Sequence, residues 1–259
     1  MKPFTILMLG DVVGQNALAY LEKNLWRVRG ELGASFAVVN GENVAVGNGI
    51  DPASAERLFR AGADVITTGN HVFRRKEVKS YLDDEPRLLR PANYPPACYG
   101  SGAYVADADG LRVLTVNLLG TVYMDPLASP FEVADKILAE NKGTYDLAVV
   151  DFHAEATAEK IALGHYLSDR VVAFAGTHTH VATADLTVLP AGCGYITDLG
   201  MCGPEGTVLG VKKELIIEHF TTKMPVRHEI GDGKTVCHGA LFTVDRATRR
   251  CIAARSVVF

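Results

Sequence analysis

The chain reads as an α/β protein with two β-sheets packed face to face and helices outside. Three features predict this. Short β-branched apolar runs bounded by polar turns recur along the chain, as in fully buried parallel strands. Stretches with apolar residues at helical spacing lie between them. From Val181 onward the texture changes to short strand-like runs.

Five runs carry the strand prediction: FTILMLG ending at Asp11, FAVVN before Glu42, ADVITTG before Asn70, DLAVVDF before His153, and RVVAFAGT before His178. A first helix is expected over Ala17–Leu32, on the spacing of Leu18, Leu21, Leu25, Val28 and Leu32. Pro52 opens a second helix reaching about Ala61, with Asp51 as N-cap. A third is expected from Arg74 to Leu82. Pro86–Gly102 holds four of the eleven prolines and reads as an irregular loop. GAYVADADGLRVLTVNLLG reads as a hairpin turning at Asp109-Gly110. Helices follow at Phe131–Glu140 and Glu155–His165. The runs DLTVLP, GCGYITDLG, GALFTVDRATRRC and IAARSVVF suggest a second, largely antiparallel sheet, while VKKELIIEHF suits helix or strand. With no repeat or linker, residues 1–259 are expected to form one domain.

Composition narrows the function classes. Hydrophobic residues make up 48% and charged residues 22% of 259 positions, as in soluble globular proteins. The net charge of −4 argues against a general nucleic-acid binder. No apolar run approaches a membrane span. The five cysteines include no C-x-x-C, so neither a disulfide framework nor a structural zinc site is expected, and a reducing cytoplasm fits best.

In an open α/β sheet, ligands collect beyond the carboxyl ends of the strands. Five such ends would gather Asp11, Glu42, Asn43, Asn70, His71, His153, His178 and His180 around one crevice. Two carboxylates, two amides and four imidazoles suit a pair of transition-metal ions. If Gly176–His180 stays extended, His178 and His180 face the same side and reach neighbouring ions. Glu42 has two oxygens with which to bridge them. Such a centre attracts a phosphate ester, lowers the pKa of a bound water and supplies the nucleophile. His71, beside Asn70, is positioned to protonate the leaving oxygen. Each residue also has an ordinary reading: Asp11 as a helix cap, Glu42 and Asn43 as turn residues, His153 as a core histidine. Glu155 is either a partner of His153 or a helix-surface residue. The joint pattern favours the metal reading.

Gly10-Asp11, Gly69-Asn70-His71, the isolated His153 and Gly-Thr-His178-Thr-His180 follow the order found in calcineurin-like metallophosphoesterases. Two departures from the common pattern, Val13 in place of a His and Glu42-Asn43 in place of an Asp, themselves resemble one subfamily. NGEN (Asn40–Asn43), TGNH (Thr68–His71), DFHAEAT (Asp151–Thr157), GTHTHV (Gly176–Val181) and TDLGMCGP (Thr197–Pro204) resemble the YmdB-like metallophosphoesterases, a group of 2′,3′-cyclic-nucleotide 2′-phosphodiesterases. The resemblance implies a four-layer α/β/β/α sandwich. It implies one ion on Asp11, Glu42, Asn43 and His180, a second on Glu42, Asn70, His153 and His178, and His71 as the acid. The ions would be two divalent or mixed-valence transition metals, iron or manganese first and zinc allowed. The expected activity is hydrolysis of 2′,3′- or 3′,5′-cyclic nucleotides by a metal-bridging hydroxide. The partner is then a small phosphodiester or nucleotide, with no membrane partner and a homo-oligomer allowed. A slow-turnover nucleotide sensor and a phosphomonoesterase are the alternatives.

Overall fold

The computed structural model describes residues 2–259. The first sheet runs in the order β2 (Asp11–Val12), β11 (Met201–Pro204), β12 (Thr235–Asp245), β1 (Phe4–Leu9), β3 (Phe36–Asn40), β4 (Val65–Thr67), and β13 (Arg250–Val258) also pairs with β12. The second runs β5 (Ala103–Ala108), β6 (Leu111–Leu119), β7 (Leu147–His153), β8 (Ala173–Thr177), β10 (Gly194–Ile196), β9 (Thr187–Val188). β1, β3 and β4 are mutually parallel, as are β6, β7, β8 and β10.

Side-chain alternation along β1 shows the layering. Phe4, Ile6 and Met8 enter a core shared with Val149, Ala173 and Ala175 of the other sheet. Leu7 and Leu9 point the opposite way, toward Leu18, Leu21 and Leu25 of α1 (Gly14–Leu32) and Leu58 of α2 (Pro52–Ala61). On the far side, Ala134 and Leu138 of α4 (Pro130–Glu140) and Leu163 and Leu167 of α5 (Thr157–Leu167) cover the second sheet. The result is the four-layer α/β/β/α sandwich. Asp51 caps α2 as expected, accepting from the Ser54 N–H at 2.8 Å.

Three local expectations change and one open alternative is resolved. α1 begins at Gly14 rather than Ala17, because Gly14 at φ +79° turns the chain out of β2 directly into the helix. The helix expected from Arg74 is instead a 3₁₀ turn at Val72–Arg74, an extended Arg75, and α3 (Val78–Asp84). That tight turn brings the His71 backbone N–H to Glu42. The run from Val181 does not form a sheet of its own. β9 and β10 extend the second sheet, while β11, β12 and β13 complete the first, where β12 covers the side of β1 that β3 leaves open. The change in texture tracks the antiparallel direction of most of these pairings, not membership of a separate sheet. VKKELIIEHF contributes a helix, α6 (Lys213–Thr222), none of whose residues is buried. No described helix is long and apolar enough to cross a membrane.

Candidate metal centre

Seven of the eight singled-out residues are in mutual contact beyond the carboxyl ends of β1, β3, β4, β7 and β8, and Asn70 precedes His71 in the chain with its Oδ1 buried. Glu42 is fully buried at the centre. Its Oε1 lies 3.2 Å from His153 Nε2 and 3.1 Å from His71 Nδ1, and its Oε2 accepts the His71 N–H at 3.2 Å. His178 Nδ1 is 3.0 Å from the same His153 Nε2. Asp11 Oδ2 accepts the His178 N–H at 3.0 Å, and Asp11 Oδ1 stands 3.6 Å from His180 Nε2. Asn43 joins the two halves, its Oδ1 3.0 Å from His71 Nδ1 and its Nδ2 3.2 Å from His180 Nε2. Turning that amide over exchanges the two atoms and sets Oδ1 beside His180 instead.

Outer hydrogen bonds select which imidazole nitrogen faces inward. Asn40 donates to Asp151 Oδ2 at 3.0 Å, and Thr67 donates to the same oxygen. Thr177 Oγ1 donates to Asp151 Oδ1 at 2.7 Å, so it accepts from His153 Nδ1 at 2.9 Å and leaves Nε2 facing the centre. The Leu209 carbonyl accepts from His180 Nδ1 at 3.0 Å, which likewise turns Nε2 inward. Glu155 Oε2 sits 3.2 Å from His178 Nε2, so His178 presents Nδ1. Glu155 therefore partners His178; it does not orient His153.

His178 and His180 arrive on a bent backbone, contrary to the expected extension. β8 stops at Thr177, and the two histidines take φ of +100° and +63°. Non-glycine residues rarely adopt such values, and structures that hold them compensate locally.

The charges interlock. Burial alone would raise the Asp11 carboxyl, but the His180 and His153 imidazoles outweigh it and hold it well below the usual range. Burial opposes ionisation of Glu42 too, yet His153 and His71 bring it down to about 2. Burial disfavours charge on His153, but Glu42 and Asp11 lift it to about 9. His178 is pushed down to about 4 by burial and then by charged His153. The two buried carboxylates thus favour a positive charge where His153 Nε2, His178 Nδ1 and Glu42 Oε1 converge. A proton on His153 supplies it, and a metal ion in its place would do the same.

The residues fit a metal on two further counts. Asp11 Oδ1 and Asn70 Oδ1 are buried without a hydrogen-bond partner, and Glu42 Oε1 makes no well-aligned hydrogen bond to either nearby imidazole, an unfavourable state for protein oxygens unless a cation answers them. Glu42, His153 and His178 offer ligand atoms within 4.8 Å of one another. Gly69 also leaves the space clear: a Cβ there would lie 2.1 Å from His153 Cδ2 and 2.3 Å from Glu42 Oε2.

Sequence reasoning missed the supporting shell of Asn40, Thr67, Asp151, Thr177, Lys160 and Asp198. A signal was present. Asp151 interrupts the apolar run LAVVDF, and Lys160 shares a helix face with Leu163 and Leu167. Charges in such positions must find partners. Burial raises the Asp151 carboxyl to about 6 despite its three donors.

A layered α/β/β/α sandwich with carboxylates, amides and imidazoles at its strand ends is a metallophosphoesterase fold. A profile for YmdB-like proteins matches residues 7–257. The 2′,3′-cyclic-nucleotide 2′-phosphodiesterase of Bacillus subtilis (strain 168) is 40% identical over 253 residues, covering 98% of this chain and 96% of that one. The crystal structure of a novel phosphatase from Mycoplasma pneumoniae superposes with TM-score 0.93 at 33% identity, covering 100% of this chain and 94% of the other. That of a hypothetical protein from Thermus thermophilus gives 0.92 at 37% identity, covering 99% of each. The chain belongs to the YmdB-like family.

Proposed function

We propose that this chain, acting as one domain over residues 1–259, is a metal-dependent phosphodiesterase that hydrolyses cyclic nucleotides at a dinuclear centre. Asp11, Glu42, Asn43 and His180 would hold one ion; Glu42, Asn70, His153 and His178 would hold the other. The observation that carries the reading is the set of three buried oxygens on Asp11, Glu42 and Asn70 that lack a well-aligned hydrogen bond, set among inward-facing imidazole nitrogens. When bound, two divalent ions would lower the pKa of a water and neutralise charge on the phosphoryl oxygens. Iron or manganese suits this imidazole, amide and carboxylate set, and zinc is compatible with it.

The chain's own groups do the remaining work. Asn43 holds His71 at Nδ1 and Glu42 Oε2 accepts the His71 N–H, which leaves Nε2 to give its proton to the departing ribose oxygen. Phe73, next in the same turn, packs edge-on against Tyr94 of the 86–102 loop at 5.4 Å and steadies that turn. The cyclic-nucleotide substrate class is supported by the activity of the Bacillus relative, and the five free cysteines fit a reducing cytoplasm. The test is hydrolysis of bis(p-nitrophenyl) phosphate and of 2′,3′- and 3′,5′-cyclic AMP by manganese-loaded protein. Turnover of the diesters supports the reading; inactivity of metal-loaded protein on all of them overturns it.

A further inference from the structure

The segment TDLGMCGP has no part in the chemistry above, yet its Asp198 anchors the backbone between two of the centre's histidines. Asp198 is fully buried. Its Oδ2 accepts the Thr179 N–H at 3.1 Å and the Lys160 ammonium at 2.7 Å, and its Oδ1 accepts the Gly200 N–H at 2.9 Å. Lys160 is also fully buried and reaches Asp198 from α5. Thr179 is the residue between His178 and His180, the two histidines with φ of +100° and +63°.

We infer that the Asp198–Lys160 pair is a positioning device that sets the spacing of the two metal-facing imidazoles. The inference rests on the dinuclear reading. A strap with two unfavourable backbone conformations in three residues relaxes unless its middle is held. The middle N–H is held by a carboxylate that cannot turn away, because its other oxygen is committed to Gly200 and its charge to Lys160. An ion pair out of water persists where both partners are matched and further hydrogen bonds satisfy them, as they are here. The Thr183 hydroxyl accepts the Asp198 N–H at 3.0 Å and fixes the start of the same turn. His178 serves one proposed ion and His180 the other. A shift of Thr179 would therefore disturb both sites together, and with them the metal–metal distance. Lys160 and Asp198 touch neither ion; they act through the strap.

The test is manganese binding by Lys160→Met/Asp198→Asn, a variant that removes both charges and strands neither. An asparagine amide offers one oxygen, so Thr179 or Gly200 loses its acceptor. Manganese affinity should fall about 10- to 100-fold, the usual consequence of removing a group that orients metal ligands. The spin-coupled resonance signal of a manganese pair should weaken or change splitting. Lys160→Arg, which keeps the cation, should keep wild-type affinity and signal. A folded double variant with wild-type affinity and coupling would overturn the proposal. Amide exchange gives an answer if that variant does not fold: the Thr179 amide of wild-type protein should be strongly protected, and fast exchange there would also overturn it. Failure of wild-type protein to bind a metal pair would instead remove the dinuclear reading, so the two failures are distinguishable.

Discussion

Substituting Gly69 by alanine should disable the centre while leaving the fold standing. Gly69 lies outside the left-handed region, so alanine meets no backbone penalty there. The cost is steric: the new methyl would lie 2.1 Å from His153 Cδ2 and 2.3 Å from both His153 Nε2 and Glu42 Oε2, where ordinary contact begins at 3.4 Å. His153 and Glu42 must each retreat by about an ångström. Both are fully buried, so the movement spreads into the ligand set. A misplacement of that size costs about 100-fold in rate. Overpacking costs about 1–3 kcal/mol in stability, within what a domain of this size tolerates. Gly30→Ala is the control: nothing lies within 4 Å of its Cβ, and alanine in a helix interior gains about 0.5–1 kcal/mol. The assay is kcat/KM on bis(p-nitrophenyl) phosphate with manganese, alongside metal content and the unfolding midpoint. Gly69→Ala protein with wild-type turnover and metal content would refute the steric argument.

Other outcomes follow from the same geometry. His71→Asn should retain its metal yet lose about 100- to 10,000-fold in turnover, the span of a general acid's contribution; kcat near wild type would remove His71 from that role. Free manganese at a hundred times its dissociation constant should stabilise the fold by about 2.7 kcal/mol. For a chain of this length that is a rise of about 5–10 °C in Tm over chelator-treated protein, and scanning calorimetry with and without chelator would expose a missing shift. Asp51→Ala removes the α2 cap and should cost about 1 kcal/mol without touching turnover. An unchanged unfolding midpoint in that variant would remove the cap from the stability account.

Much of this architecture was legible because buried strands and site residues share the same boundaries. The runs ending at Asp11, Glu42, Asn70, His153 and His178 are apolar because both faces are covered, and each turns polar where it leaves the core. The α2 boundary was legible for a local reason, an aspartate followed by proline. Sheet membership after Val181 was not legible, because it depends on which open edge a strand meets, a long-range property. The bend at His178–His180 was hidden for a related reason: neither histidine advertises a positive φ, and the acceptor that stabilises the bend, Asp198, lies eighteen residues beyond His180. The third helix misled because Arg74, Arg75, Lys76 and Glu77 are all good helix formers, while the contact between the His71 N–H and Glu42 imposes a tighter turn.

The most direct test of the central claim is the metal stoichiometry of purified protein, measured by inductively coupled plasma mass spectrometry on the wild type and on Glu42→Ala. Glu42 stands against both His71 and His153 and is the one side chain proposed to serve both ions. The account predicts two transition-metal ions per wild-type chain, with at least one lost in the variant. A wild-type chain that takes up no ion pair after reconstitution, or a variant that keeps both ions, would contradict it.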